Sequence, residues 1–221
     1  MAKAKLVYGV GINDLAYAVT KTIQGKRVWE CPYYNKWLEM LRRGFSEIEK
    51  QRHPTYKETS VCDEWKTASV FKSWMLKQDW KGLDLDKDIL LKGSNVYSPE
   101  TTVFVPSYIN TLLVTSTAIR GKWPLGVSFV KNNFLKGANK VFRASIKDKR
   151  NVGVIQKNLG HFETIAEAHK AWQEAKYEIF SKRLQEYEND PQLNQKAYDA
   201  IKLRAINLKL DIALGKETFN I

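Results

Sequence analysis

The sequence predicts an α+β chain, and three patterns carry that prediction. Apolar and polar residues alternate with period two in 141–147, where Phe142, Ala144 and Ile146 would face one way and Arg143, Ser145 and Lys147 the other. Thr164 precedes Glu167 by three residues at the head of a run with Ala168, Ala171, Ala175 and Ile179 on one side, the signature of a capped helix. Tyr34, Trp37, Leu38 and Leu41 recur at helical spacing nearer the start.

In chain order, 5–11 reads as a short strand ending at glycines, followed by a polar loop through Gln24, Gly25, Lys26 and Arg27. The helix carrying Trp37 ends with Arg42 and Arg43 in its last turn and Gly44 as its stop. Residues 46–59 read as loop, and Trp65, Ala68, Phe71 and Met75 as a second helix. Strands are expected over 124–130, 141–146 and 154–162, then the helix from Thr164. Asn189-Asp190-Pro191 breaks the chain. Ala197, Ile201, Ala205, Leu208 and Ile212 mark a terminal helix stopped by Gly215, which packs on its own domain or forms a dimer.

The chain's 221 residues carry a net charge of +12. Of that, 121–160 contributes nine Lys or Arg against Asp148 alone. Such a balance points to a polyanionic partner, most often nucleic acid. Two cysteines, Cys31 and Cys62, are too few for a disulfide framework. The apolar runs are too short for a membrane span, and the start lacks a signal-peptide core, so a soluble intracellular protein is expected.

The stretch 85–110 carries the candidate chemistry. Asp86 and Asp88 would share one face of a short strand. Gly93, Ser94 and Asn95 form a turn, and Ser98-Pro99-Glu100 opens a short helix. Pro106 confines a second short helix carrying Tyr108, Ile109 and Asn110. Carboxylates, hairpin, short helix and a polar amide follow one another in the order of a ββα-metal nuclease core. Asp-x-Asp alone reads equally as a solvated charge run or as a turn whose aspartates cap the backbone.

This stretch resembles the HNH (His-Me finger) homing endonucleases of phages. Asp86 matches the family's aspartate, Tyr97-Ser98-Pro99-Glu100 its helix start and Asn110 its last polar ligand. Upstream, Cys31-Pro32-Tyr33-Tyr34, Trp37, Met40-Leu41, Arg43, Tyr56, Val61-Cys62 and Glu64-Trp65 fit the same family. The position of the general base, beside Asp86, holds Lys87, and no histidine lies within 54–160. Gly44, Thr59 and Thr102 stand where relatives often carry cysteine, so no zinc is expected. His53 is a remote candidate for the base, while His161 and His169 read as packed or surface residues.

Residues 126–168 resemble the APETALA/ethylene-response type of DNA-binding domain, which also occurs in phage HNH homing endonucleases. Gly126-Val127, Phe142 to Ile146, Leu159 to Phe162 and Thr164 to Ala168 carry this likeness. Ser128 and Val130 replace the family's usual arginines, and Asn158 a frequent tryptophan.

Together the resemblances imply an HNH-like nuclease module over 1–118, a DNA-binding domain over 119–188 and a C-terminal helix over 189–221. They imply a DNA endonuclease acting in the cytoplasm of an infected bacterial host, on double-stranded DNA; the sequence leaves the oligomeric state open, with a monomer favoured. Asp86 and Asn110 would hold Mg²⁺ or Mn²⁺. Lys87 would stabilise charge on phosphate, and Asp88 or a metal-bound hydroxide would activate water. Lys131, Arg143, Lys147, Lys149, Arg150, Gln156, Lys157 and Asn158 would contact DNA. With the catalytic histidine replaced, a DNA-binding or regulatory protein derived from that family is the alternative.

Overall fold

The computed structural model describes residues 6–114, 122–130, 141–150 and 153–221, with the backbone alone for 149–150 and 153–155. The fold is mixed α+β, with several short sheets, and it divides into two compact units, Met1–Val105 and Pro106–Ile221.

In the first unit an antiparallel hairpin, β1 (Thr20–Ile23) and β2 (Lys26–Glu30), occupies the expected polar loop. Gln24 and Gly25 at its tip have φ of 48° and 75°. That is the two-residue turn whose twist matches the flanking strands. The strand expected over 5–11 is instead a tight turn closed by the Val7 N–H on the Gly11 carbonyl.

Helix α1 (Pro32–Phe45) buries Trp37, Met40 and Leu41. Gly44 lies inside this helix and does not stop it. A Cβ there would stand 3.0 Å from the Val61 side chain, so glycine lets α1 press onto β3 (Ser60–Val61). The segment expected as loop after Gly44 contains α2 (Glu47–Arg52), started by Ser46, whose Oγ accepts from the Glu49 N–H at 3.3 Å.

Helix α3 (Ala68–Met75) completes the aromatic core, with Trp65 in the turn before it. Trp37 donates its indole N–H to the Trp65 carbonyl at 2.8 Å, and Trp74 stacks on Phe104 with ring centres 5.6 Å apart. Strand β4 (Asp84–Asp86) pairs antiparallel with β6 (Val103–Val105), while β5 (Val96–Tyr97) pairs parallel with β3. Between β5 and β6, Ser98–Thr101 makes only a turn, closed by the Thr102 N–H on the Ser98 carbonyl, and not the expected helix. The β-branched run Thr101-Thr102-Val103 takes the chain straight into β6.

The second unit opens with α4 (Ser107–Asn110), the short helix expected after Pro106. Its core is the antiparallel sheet β7 (Val127–Phe129), β8 (Phe142–Arg150) and β9 (Gly153–Phe162), in that order. Helix α5 (Ile165–Glu188) carries the full capping box of Thr164 and Glu167 and packs along the sheet. Gly126, at φ 78°, permits this approach, since a Cβ there would lie 1.9 Å from the Trp172 ring. Helix α6 (Gln195–Ala213) runs back along α5, burying Ala197, Ile201, Ala205 and Leu208. A tail ties the pair together. Gln173 donates to the Lys216 carbonyl and the Thr218 hydroxyl, and the Thr218 N–H donates to His169 Nε2. His169 is therefore a packed residue, with Nδ1 donating to the Leu125 carbonyl at 3.0 Å.

The second unit begins before the expected boundary at 118 because Tyr108 and Leu112 belong to α5's surroundings. Tyr108 donates to Asp190 at 2.9 Å, and Lys176 donates to the Leu112 carbonyl at 2.7 Å.

Candidate nucleic-acid interface

The register of the sheet decides which side chains share a face. Directly opposed residues in an antiparallel ladder point the same way. Arg143 opposes Ser128 and His161, Ser145 opposes Asn158, and Lys147 opposes Gln156. A bulge at Leu159 separates the last two sets of pairs. It keeps Asn158 and His161 on one face while Leu159 packs against Trp172 and Ala168 on the other. Ala144 and Ile146 are buried under α5.

The outer face therefore carries Ser128, Arg143, Ser145, Lys147, Gln156, Asn158 and His161. Arg143, Lys147, Gln156 and Asn158 are exposed. Arg143 donates Nε–H to Ser128 Oγ at 3.3 Å, and Asn158 Oδ1 accepts from the Gly160 N–H. Two cations and two amides on one pleated surface offer fork-shaped and point-charge donors together with paired donor–acceptor groups.

Lys157 does not join them. It opposes Ile146 and so points to the helix side, where it lines a cavity of about 220 Å³ with Asp148, Glu178 and Arg183. Gln156, Lys157 and Asn158 are consecutive in a strand, so the three expected contacts divide between its two faces. Lys149 and Arg150 end β8 opposite Val154 and Gly153, and their side chains are not described. Lys131 lies outside the described residues. His161, set aside in the sequence, shares the outer face, and only the cross-strand pairing with Arg143 reveals it.

The acidic stretch has a different character. Asp86 ends β4, and Asp88 lies beyond the strand, so the two do not alternate along one strand face. Asp86 Oδ1 instead accepts from the backbone N–H groups of Asp88 at 2.7 Å and Ile89 at 2.8 Å. Burial holds the Asp86 carboxyl above the usual carboxylate range, and the charge of Asp88 adds to this, while the two N–H groups oppose it.

Lys87 is buried at 5% exposure, and its ammonium donates to Asp88 Oδ1 at 2.8 Å and to the Ser94 carbonyl at 2.9 Å. It closes the 86–94 turn from within. Arg43 reinforces the strand end, donating to the Leu85 carbonyl and the Tyr97 hydroxyl.

The donor set found here does not suit a hard divalent cation, which takes six or more oxygen ligands in Ca²⁺ sites and near-octahedral oxygen in Mg²⁺ sites. One Asp86 oxygen serves the turn, and an ammonium neutralises Asp88. Asn110 belongs to the second unit. Among the described residues, no three His, Cys, Asp or Glu side chains group so as to hold a metal ion.

Gly44, Thr59 and Thr102, the positions at which the HNH resemblance would place cysteine, sit in different settings. Gly44 serves helix approach, and Thr102 Oγ1 accepts from the Ser98 N–H at 3.1 Å. Thr59 Oγ1 is buried without a hydrogen-bond partner among the described residues. No family model, curated protein or solved structure matches the chain. No helix among the described residues is long and apolar enough to cross a membrane.

Proposed function

We propose that this chain binds double-stranded DNA through the outer face of β7, β8 and β9. One observation carries the reading. Arg143, Lys147, Gln156 and Asn158 are brought together and exposed on one face, while α5 covers the other. The physical logic is that cations fix the register on phosphates, while arginine and amide side chains have the geometry to address base edges in a major groove. The net charge of +12 favours the same partner. The resemblance of 126–168 to APETALA-type domains points the same way.

The second reading is the DNA endonuclease that the HNH resemblance implies. One feature favours it, the half-buried Asp86 carboxyl with its raised pKa at a strand end. Against it stand Lys87 in place of a histidine, its internal ion pair and the donor set described above. One experiment separates the two. Purified full-length protein is titrated into labelled duplex DNA, with and without Mg²⁺ or Mn²⁺, and the DNA is recovered and its ends mapped. Salt-sensitive binding with intact DNA supports the binding protein. New ends that disappear in Asp86→Asn support the nuclease. Absence of binding contradicts both.

A further inference from the structure

We infer that the β1–β2 hairpin of the first unit is a second DNA-contacting element. This rests on the reading of the chain as a DNA binder, but its observations come from other residues.

The hairpin is unusually bare. Every residue from Lys21 to Trp29 is exposed, including Ile23, Val28 and Trp29 at 51%, 54% and 46%. A lone two-stranded hairpin is marginal in water, and one with apolar side chains left in solvent gains little from its own folding. The ladder explains how it stays formed. Its tip is the tight turn at Gln24-Gly25, and its base is held where the Cys31 N–H donates to the Val19 carbonyl at 2.8 Å, next to the buried Cys31 side chain.

Register sorts the side chains into two faces. Lys21 opposes Trp29 and Ile23 opposes Lys26, so one face presents two ammonium groups around an indole and an aliphatic side chain. Thr22 opposes Arg27 and Thr20 opposes Glu30 on the other face. There Arg27 is engaged with Glu30 at 2.9 Å. Lys21 and Lys26 have no acidic partner among the described residues.

A two-stranded ribbon has the width that a major groove admits. Lysines on such a ribbon reach phosphates as point charges, and an exposed indole packs on sugar or base surface that water would otherwise cover. An acidic protein partner would also attract the lysines, and that possibility is an outcome of the test.

The test uses the full chain and a duplex that the wild type binds. Lys21→Glu with Lys26→Glu is expected to weaken binding by at least about tenfold and to lower the magnitude of the log–log salt slope by about two, one for each lost phosphate contact. Trp29→Ala is expected to weaken binding without changing that slope, because it removes apolar contact and no charge. Lys21→Gln with Lys26→Gln serves as the milder pair, and circular dichroism confirms the fold of each variant. If all three variants match wild type in affinity and slope, the hairpin does not touch DNA, while DNA binding by the sheet still stands. If wild type binds no duplex, both readings are overturned together. If the variants keep duplex affinity but lose capture of an acidic polypeptide such as polyglutamate, the hairpin serves a protein partner and the inference is wrong.

Discussion

The Lys176 ammonium donates to the Leu112 carbonyl at 2.7 Å in a buried position beneath α5, near the Phe180 ring. Burial pushes its pKa down from 10.5 to about 8, with Asp148 pulling weakly the other way. A lowered folded-state pKa on a cationic group means that the unfolded chain holds the proton more tightly. Below pH 8 both states are charged, and the full cost of burying the cation is present. Between pH 8 and 10.5 the unfolded state binds more protons, so stability rises with pH, by about 3 kcal/mol across the whole window. Chemical denaturation between pH 7.5 and 10 checks this. Tyrosines such as Tyr97, whose pKa burial raises from 10.0 to about 12, contribute with the opposite sign as pH rises through 10, so the rise is read most cleanly below about pH 9.5. Lys176→Met is expected to flatten the profile.

Asp86 is expected to act first as a turn cap. Asp86→Asn keeps an oxygen for the Asp88 and Ile89 N–H groups and removes a charge that burial disfavours. Because the folded pKa is raised, the penalty appears as pH rises above the unfolded carboxylate value. Asn at this position is therefore neutral or stabilising at pH 7. Asp86→Ala leaves two N–H groups without their acceptor and costs about 2 kcal/mol. Urea titration of the two variants distinguishes them, and equal losses would contradict the capping role.

Thr59→Val is expected to stabilise the first unit by about 1 kcal/mol. The hydroxyl is buried at 2% exposure without a partner among the described residues, and valine fills the same shape without the desolvation cost. Thermal unfolding measures it, and a lower midpoint would show that the hydroxyl is satisfied in solution.

Gly126→Ala is expected to be severely destabilising, by about 3 kcal/mol or more. The added Cβ meets the Trp172 ring at 1.9 Å, and the residue sits at φ 78°. Soluble expression and the denaturation midpoint check it, and a fully stable variant would contradict the contact between β7 and α5.

The parts of the fold that were legible in the sequence are those with a regular period and a chemical stop. Alternation located β8, and Thr164 with Glu167 located the start of α5. The hairpin β1–β2 escaped because its turn is Gln24-Gly25 and its strands show no buried face to alternate against. Helix α2 escaped because it is short and polar, although Ser46 and Glu49 stand at capping distance. The Asp86 turn was among the readings that the sequence left open, beside a metal site. A carboxylate that accepts backbone N–H groups and one that awaits a metal are the same letters in a sequence, and only the position of Lys87 between Asp88 and Ser94 distinguishes them. Lys157 shows the matching limit in the sheet, since its face depends on the bulge at Leu159 and on cross-strand register.

The central claim is that the outer face of β7–β9 meets DNA. Its most direct test is the salt dependence of duplex binding by wild type and by Arg143→Glu with Lys147→Glu, at several salt concentrations between 50 and 200 mM. Both residues are exposed on strand β8, so the pair should fold normally. The account predicts affinity lower by at least about tenfold, with a log–log slope shallower by about two. Unchanged affinity and slope in the folded double variant would contradict it.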